Sequence, residues 1–197
     1  MAIEVVLPYH GDEGDFETID ELDSAIEAAI EMLNDERERD LREIAARHHI
    51  EHGDPVEGAR HCARVIELML EDAAWDDEDT MTMRGFLGRA LTEAGSYREA
   101  EEVLGQLVVD RERVFGTDDR QTMVARGNLA RAVGRGGRVE EAIVLAEALL
   151  ADRLRVLGPD DPSTLDTRGH LAALHLQADE NELALEMYRD LLADRVR

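Results

Sequence analysis

The sequence predicts an all-α protein built from stacked helical hairpins, and three observations carry that prediction. A 42-residue period runs through most of the chain, the apolar residues inside each period recur at helical spacing, and the composition suits packed helices. Aromatic residues make up only 4% of the 197 positions, against 44% apolar and 35% charged. A β-sandwich would draw more heavily on aromatic and β-branched residues. The length allows one or two domains with a sizeable core.

The period is clearest in two linkers, FGTDDRQTM (Phe115 to Met123) and LGPDDPSTL (Leu157 to Leu165), whose Gly116 and Gly158 lie 42 residues apart. Arg84, Arg126 and Arg168 keep the same spacing, as do Gly85, Gly127 and Gly169, then Leu87, Leu129 and Leu171, and Ala100, Ala142 and Ala184. The dipeptides Asp110-Arg111, Asp152-Arg153 and Asp194-Arg195 keep it too.

Taken in order, residues 1–17 are apolar and then acidic, an extended tail or a short strand. Residues 19–33 place Ile19, Leu22, Ile26, Ile30 and Leu33 on one helical face, an amphipathic helix suited to covering the first repeat. A helix over about 34–52 follows, then Gly53-Asp54-Pro55 and a second helix to about Asp72, a weaker copy of the repeat. First helices are expected at about 80–94, 122–135 and 164–178, and second helices at about 97–114, 138–156 and 181–195. Gly95, Gly137 and Asp179 break the chain between them. Asp79-Thr80, Asp119 and Pro162-Ser163-Thr164 are the expected helix starts, because their side chains or ring geometry suit a first turn. The chain divides into an N-terminal segment with a capping helix (1–33) and a repeat domain (34–78, 79–120, 121–162 and 163–197).

Charge narrows the function. The 46 acidic residues outnumber the 22 basic ones by 24, which repels a phosphate backbone, so nucleic-acid binding is not expected. All 22 basic residues are arginine. No apolar run approaches the roughly 20 residues that span a bilayer, and the start MAIEVVLPYH lacks a secretion signal. A single cysteine, Cys62, permits no internal disulfide. A cytoplasmic protein without cofactor or membrane partner is expected. Residues 1–79 carry a net charge of −19 and residues 80–197 only −5. The first helices of the second and third hairpins are locally basic, carrying Arg84 and Arg89 against Glu93, and Arg126, Arg131 and Arg135 against no acid.

The unit resembles the tetratricopeptide repeat: Leu87-Gly88 with Leu91, then Ala100 and Leu104, fit its L-G-x2-Y and A-x3-F slots by size. Leu129-Ala130, Val133, Ala142 and Ala146 repeat the fit, as do Leu171-Ala172, His175, Ala184 and Tyr188. The 42-residue period and the linker L-G-x-D-D-P-x-T-L resemble the kinesin-light-chain-like class, common in bacterial regulatory and scaffold proteins. The resemblance implies a right-handed α-solenoid of about four hairpins whose first helices line a concave groove for a protein or peptide, and no enzymatic activity. In that class two successive Asn precede the Leu-Ala pair and line the groove. Here only Asn128 matches, with Phe86 and His170 at its equivalents.

The candidate peptide-binding residues are therefore Arg84, Arg89, Arg126, Asn128, Arg131 and Arg135, and an acidic partner segment is expected because an arginine fork grips a carboxylate at two points. Arg84 and Arg126, with Arg168, occupy the Trp slot of the repeat, where pairing with acids of neighbouring helices is the competing reading. Arg89, Arg131 and Arg135 take slots that face the groove in the family. The acidic stretch Gly11 to Glu21 is a candidate occupant of that groove, as kinesin light chains use an acidic segment for self-inhibition.

The rival chemistry is a metal site on His48 and His52, an i, i+4 pair within HHIEH, close to His61-Cys62. It lacks the glutamate placement of H-E-x-x-H, and polar residues at a helix end are the favoured explanation. Asp12, Glu13 and Asp15 do not keep calcium-loop spacing. Gly134, Gly136 and Gly137 belong to a helix end rather than a phosphate loop. Trp75 is expected to anchor a loop between repeats, and Met81, Met83 and Met123 to pack. A third reading is a homo-oligomer formed through the C-terminal repeat edge, where Leu183, Leu185, Met187, Leu191 and Leu192 would be left uncovered.

Overall fold

The computed structural model describes residues 24, 27–28, 35–71 and 73–195. The expected tail over 1–17, its acidic stretch and most of the expected capping helix lie outside the described residues; Ser24, Glu27 and Ala28 are helical. The helices in order are α1 (Asp35–His52), α2 (Pro55–Met69), α3 (Glu78–Glu93), α4 (Tyr97–Phe115), α5 (Arg120–Arg135), α6 (Val139–Val156), α7 (Pro162–Gln177) and α8 (Asn181–Arg195). No strand occurs among the described residues.

Four of these helices are entered from an aspartate. Asp54 accepts from the Glu57 amide at 3.2 Å, Asp77 from Asp79 at 3.0 Å, Asp119 from Thr122 at 2.8 Å and Asp161 from Ser163 at 2.8 Å. Each satisfies one of the free amides of a first turn. Two caps stand earlier than expected. Asp77, not Asp79, caps α3, and Asp161, not Ser163 or Thr164, caps α7. The reversals inside the hairpins need a left-handed residue, which Gly95 (φ 82°), Gly137 (φ 89°) and Asp179 (φ 61°) supply.

Every helix packs on its chain neighbours, and each first helix also touches the first helix of the next hairpin (α1 on α3, α3 on α5, α5 on α7). Among the described residues no two second helices touch. The hairpins therefore crowd on the first-helix side and splay on the other, which places α3, α5 and α7 on the inner wall of a solenoid.

Apolar contacts fill the junctions between hairpins as three clusters. The first joins Ala46, Cys62, Val65, Ile66 and Met69 to Met83; the second joins Met81, Leu104 and Leu107 to Ala125 and Ala132; the third joins Val133, Ala142 and Ala146 to Leu171 and Leu174. Met81, Met83 and Met123 pack inside, as expected. Close approach depends on small residues. A Cβ on Gly88 would stand 2.4 Å from Leu104, and Ala130 and Ala172, one and two periods on, are fully buried.

Candidate functional site

A repeated ion pair holds each of two hairpins together. Arg84 on α3 donates to Asp110 on α4 at 2.8 Å, and Arg126 on α5 donates to Asp152 on α6 at 2.7 Å, both 26 residues apart in sequence. Arg84 has 0% exposure, also donates to the Trp75 carbonyl at 3.1 Å, and stacks 4.4 Å below the Trp75 ring. Trp75 thus anchors the loop before α3. These placements correct the assignment of Arg84 to a ligand site: its charge is turned into the hairpin, with no surface left for a partner. Arg126 is likewise engaged by a carboxylate, and hydrogen bonds from Arg126 and Arg155 hold the Asp152 carboxyl below its usual range.

The inner wall carries two adjoining clefts. The first, about 220 Å³ between α3 and α5, is bordered by Phe86, Arg89, Gln121, Asn128 and Arg131, with Arg111 of α4 at its floor. No aspartate or glutamate lines it. The second, about 280 Å³ between α5 and α7, is bordered by Asn128, Arg131, Asp166, Thr167 and His170, with Arg153 of α6 at its floor. Asn128 and Arg131 face both. Arg131 comes within 3.6 Å of Asp166, and Arg135 pairs with Glu93 at 2.5 Å across the C-terminal ends of α5 and α3. Arg89 lies 5.9 Å from the Phe86 ring centre and forms no ion pair with a described residue.

Of the six expected residues, then, Arg89, Asn128 and Arg131 border the clefts, Arg135 sits beside them in an ion pair, and Arg84 and Arg126 serve the hairpins. His170 adds a titratable ring to the second cleft. Burial, with Arg131 adding to it, pushes its pKa down to about 4, so the ring is neutral at pH 7.

Arg111 and Arg153 were legible only as markers of the period. Both are nearly buried, at 3% and 5% exposure, and burial lowers the pKa of each guanidinium. Arg153 donates to the Ser163 carbonyl and Thr167 Oγ1 of α7, each at 2.6 Å, and to the Met123 carbonyl of α5 at 3.2 Å, tying two hairpins together. Arg111 makes a single hydrogen bond, to Thr82 Oγ1 at 3.2 Å, and lies 5.9 Å from the Phe115 ring centre.

The histidines sit apart from this wall. His48 and His52 stack with ring centres 4.0 Å apart, and His52 Nδ1 lies 2.9 Å from the His48 carbonyl. His49 and His61 are buried and stacked on each other. Among the described residues no group of three or more His, Cys, Asp or Glu side chains is placed to hold a metal ion. Cys62 is fully buried in the first cluster, and burial pushes its thiol up to about 12, which makes it inert. At the last hairpin Leu176, Leu183, Leu185 and Leu192 are exposed, whereas Leu191 is buried. No helix among the described residues is long and apolar enough to cross a membrane.

Stacked helical hairpins with a lined inner wall define an α-solenoid of the interaction-repeat type. Two family models described as tetratricopeptide repeat match residues 80–121 and 121–195, and the chain belongs to that family. Two crystal structures of nearly identical kinesin-light-chain TPR-like repeats from Podosopora anserina are similar in fold. They have TM-scores of 0.73 and 0.70, each at 21% identity, covering 90% of this chain and 84% and 85% of theirs. BtubC (BKLC) from P. vanneervenii gives a TM-score of 0.69 at 16% identity over 90% of this chain and 71% of that one. No curated protein matches the sequence.

Proposed function

We propose that the protein is a cytoplasmic, non-enzymatic interaction module, an adaptor, scaffold or regulator that holds an acidic peptide or protein segment along its inner wall. The supporting observation is that Arg89, Asn128 and Arg131 border two adjoining clefts on that wall in a chain of net charge −24. Carboxylates are drawn to such a place against the field of the rest of the molecule. A single exposed contact contributes only about 0.2–1 kcal/mol, so affinity comes from several contacts together with apolar burial. Pull-down with the intact protein and with a variant carrying Arg89→Glu, Arg131→Glu and Arg135→Glu tests the reading. Loss of the same captured protein from the variant supports it, and equal capture by both refutes it.

A second reading is favoured by the exposed leucines of the last hairpin, Leu176, Leu183, Leu185 and Leu192, of which Leu185 and Leu192 share one face of α8 that a second copy would cover. Light scattering over a concentration series decides it, and a strict monomer at high concentration removes it.

A further inference from the structure

Arg111 is a desolvated cation whose hydrogen-bonding capacity is mostly unused. Its guanidinium carries five donors, of which one is engaged, by Thr82 Oγ1. No described residue forms an ion pair with it. A buried charge without a paired carboxylate is costly to hold. The equivalent Arg153, one period on, makes three hydrogen bonds, to the Ser163 carbonyl and Thr167 Oγ1 of the next hairpin and to the Met123 carbonyl, and keeps only its buried Nε without a partner. The position that corresponds to Thr167 is Ala125, which has no hydroxyl. The cleft above Arg111 is also the one that no acidic side chain lines, and Arg89 and Arg131 stand at its border.

We infer that the α3/α5 cleft is an anion subsite in which Arg111 receives one carboxylate side chain of the bound segment, with Arg89 and Arg131 closing on the same group. The inference rests on the groove reading above and names within it the residue that selects the ligand. A planar carboxylate matches the arginine fork and replaces the acceptor that Ala125 fails to supply. The α5/α7 cleft offers no comparable place, since three internal acceptors hold the Arg153 guanidinium and Asp166 stands beside Arg131.

The test uses fluorescently labelled, end-capped hexaglutamate as probe and hexaglutamine as control, with binding to the full chain read by fluorescence anisotropy at low salt. The wild type is expected to bind hexaglutamate at least tenfold more tightly than hexaglutamine. Arg111→Met is expected to abolish that preference. Ala125→Thr removes no charge and supplies the hydroxyl that Thr167 gives Arg153; it is expected to weaken hexaglutamate binding about tenfold, with circular dichroism confirming that both variants are folded. If Arg89→Glu and Arg131→Glu abolish binding while Arg111→Met and Ala125→Thr keep it, the subsite is overturned and the groove stands. If the wild type shows no preference for hexaglutamate, the subsite is overturned, and the pull-down above decides the groove separately.

Discussion

The two clefts of the inner wall stand one repeat apart on equivalent helices, and they differ in how the arginine at the floor is satisfied. In the α5/α7 cleft Arg153 reaches both hairpins and acts as a tie. In the α3/α5 cleft Arg111 occupies the same place in the period but keeps one internal bond. The exchange of a threonine hydroxyl at Thr167 for the methyl group of Ala125 removes one of the three acceptors, and the carbonyls of Gln121 and Met81, which correspond to those of Ser163 and Met123, are not engaged by Arg111. One position in a repeat therefore serves as a structural rivet in one copy and as an open cation in the next.

The sharpest way to break this comparison is to remove each guanidinium in turn. Arg153→Met should destabilise the fold by about 3 kcal/mol in urea titration, because it removes three hydrogen bonds that join α6 to α5 and α7 across a buried junction. Arg111→Met should change stability by less than about 1 kcal/mol in either direction, since it removes a buried charge with no ion-pair partner and a single hydrogen bond. Equal losses at the two positions would mean that both arginines are structural.

A smaller effect is expected from Thr167→Ala, which imposes the α3/α5 pattern on the second cleft. It should cost about 1–2 kcal/mol by the same measurement and raise hexaglutamate affinity, because Arg153 then has a donor to offer. Unchanged binding would show that the missing hydroxyl is not what opens a cleft.

A last effect concerns pH. The His170 ring, facing Arg131, Asp166 and Arg135, has its pKa held near 4, well below the unfolded value of about 6.5. Between those values the unfolded chain binds a proton that the folded chain does not, so stability falls as pH drops through that window. His170→Gln should flatten the stability profile in that window, and an unaltered slope would place the titration elsewhere. Bound hexaglutamate should raise the His170 pKa, visible in the ring proton resonances.

Much of the architecture was legible because its determinants are local and recur. The glycines and prolines of the linkers, the Leu-Gly and Leu-Ala pairs at helix crossings and the buried Ala100, Ala142 and Ala184 all report packing that must be solved again in every copy. Helix starts were read slightly late, since an aspartate just outside a helix and one just inside it look alike without backbone angles. The site was legible only in part. Arg89, Asn128 and Arg131 lie on first helices, where the period alone orients them. Arg84 was misplaced because a charged residue in an aromatic slot can turn either way, and Asp110 settles the direction through a contact 26 residues on. Arg111 was missed because it belongs to a second helix, the side of the hairpin that family likeness keeps away from ligands. Its signal was an interruption of the repeat, an alanine where the next copy has a threonine, and that interruption means something only once the two side chains are known to meet.

Since the basic groups along the inner wall are all arginines, their charge is effectively permanent. Guanidinium does not lose its proton at any pH a cell reaches, and enzymes that acylate lysine find nothing there to modify. Deprotonation and lysine acylation are therefore closed as routes to control docking, while the ionic strength around the chain and a partner that masks or reveals its own acidic groups stay open.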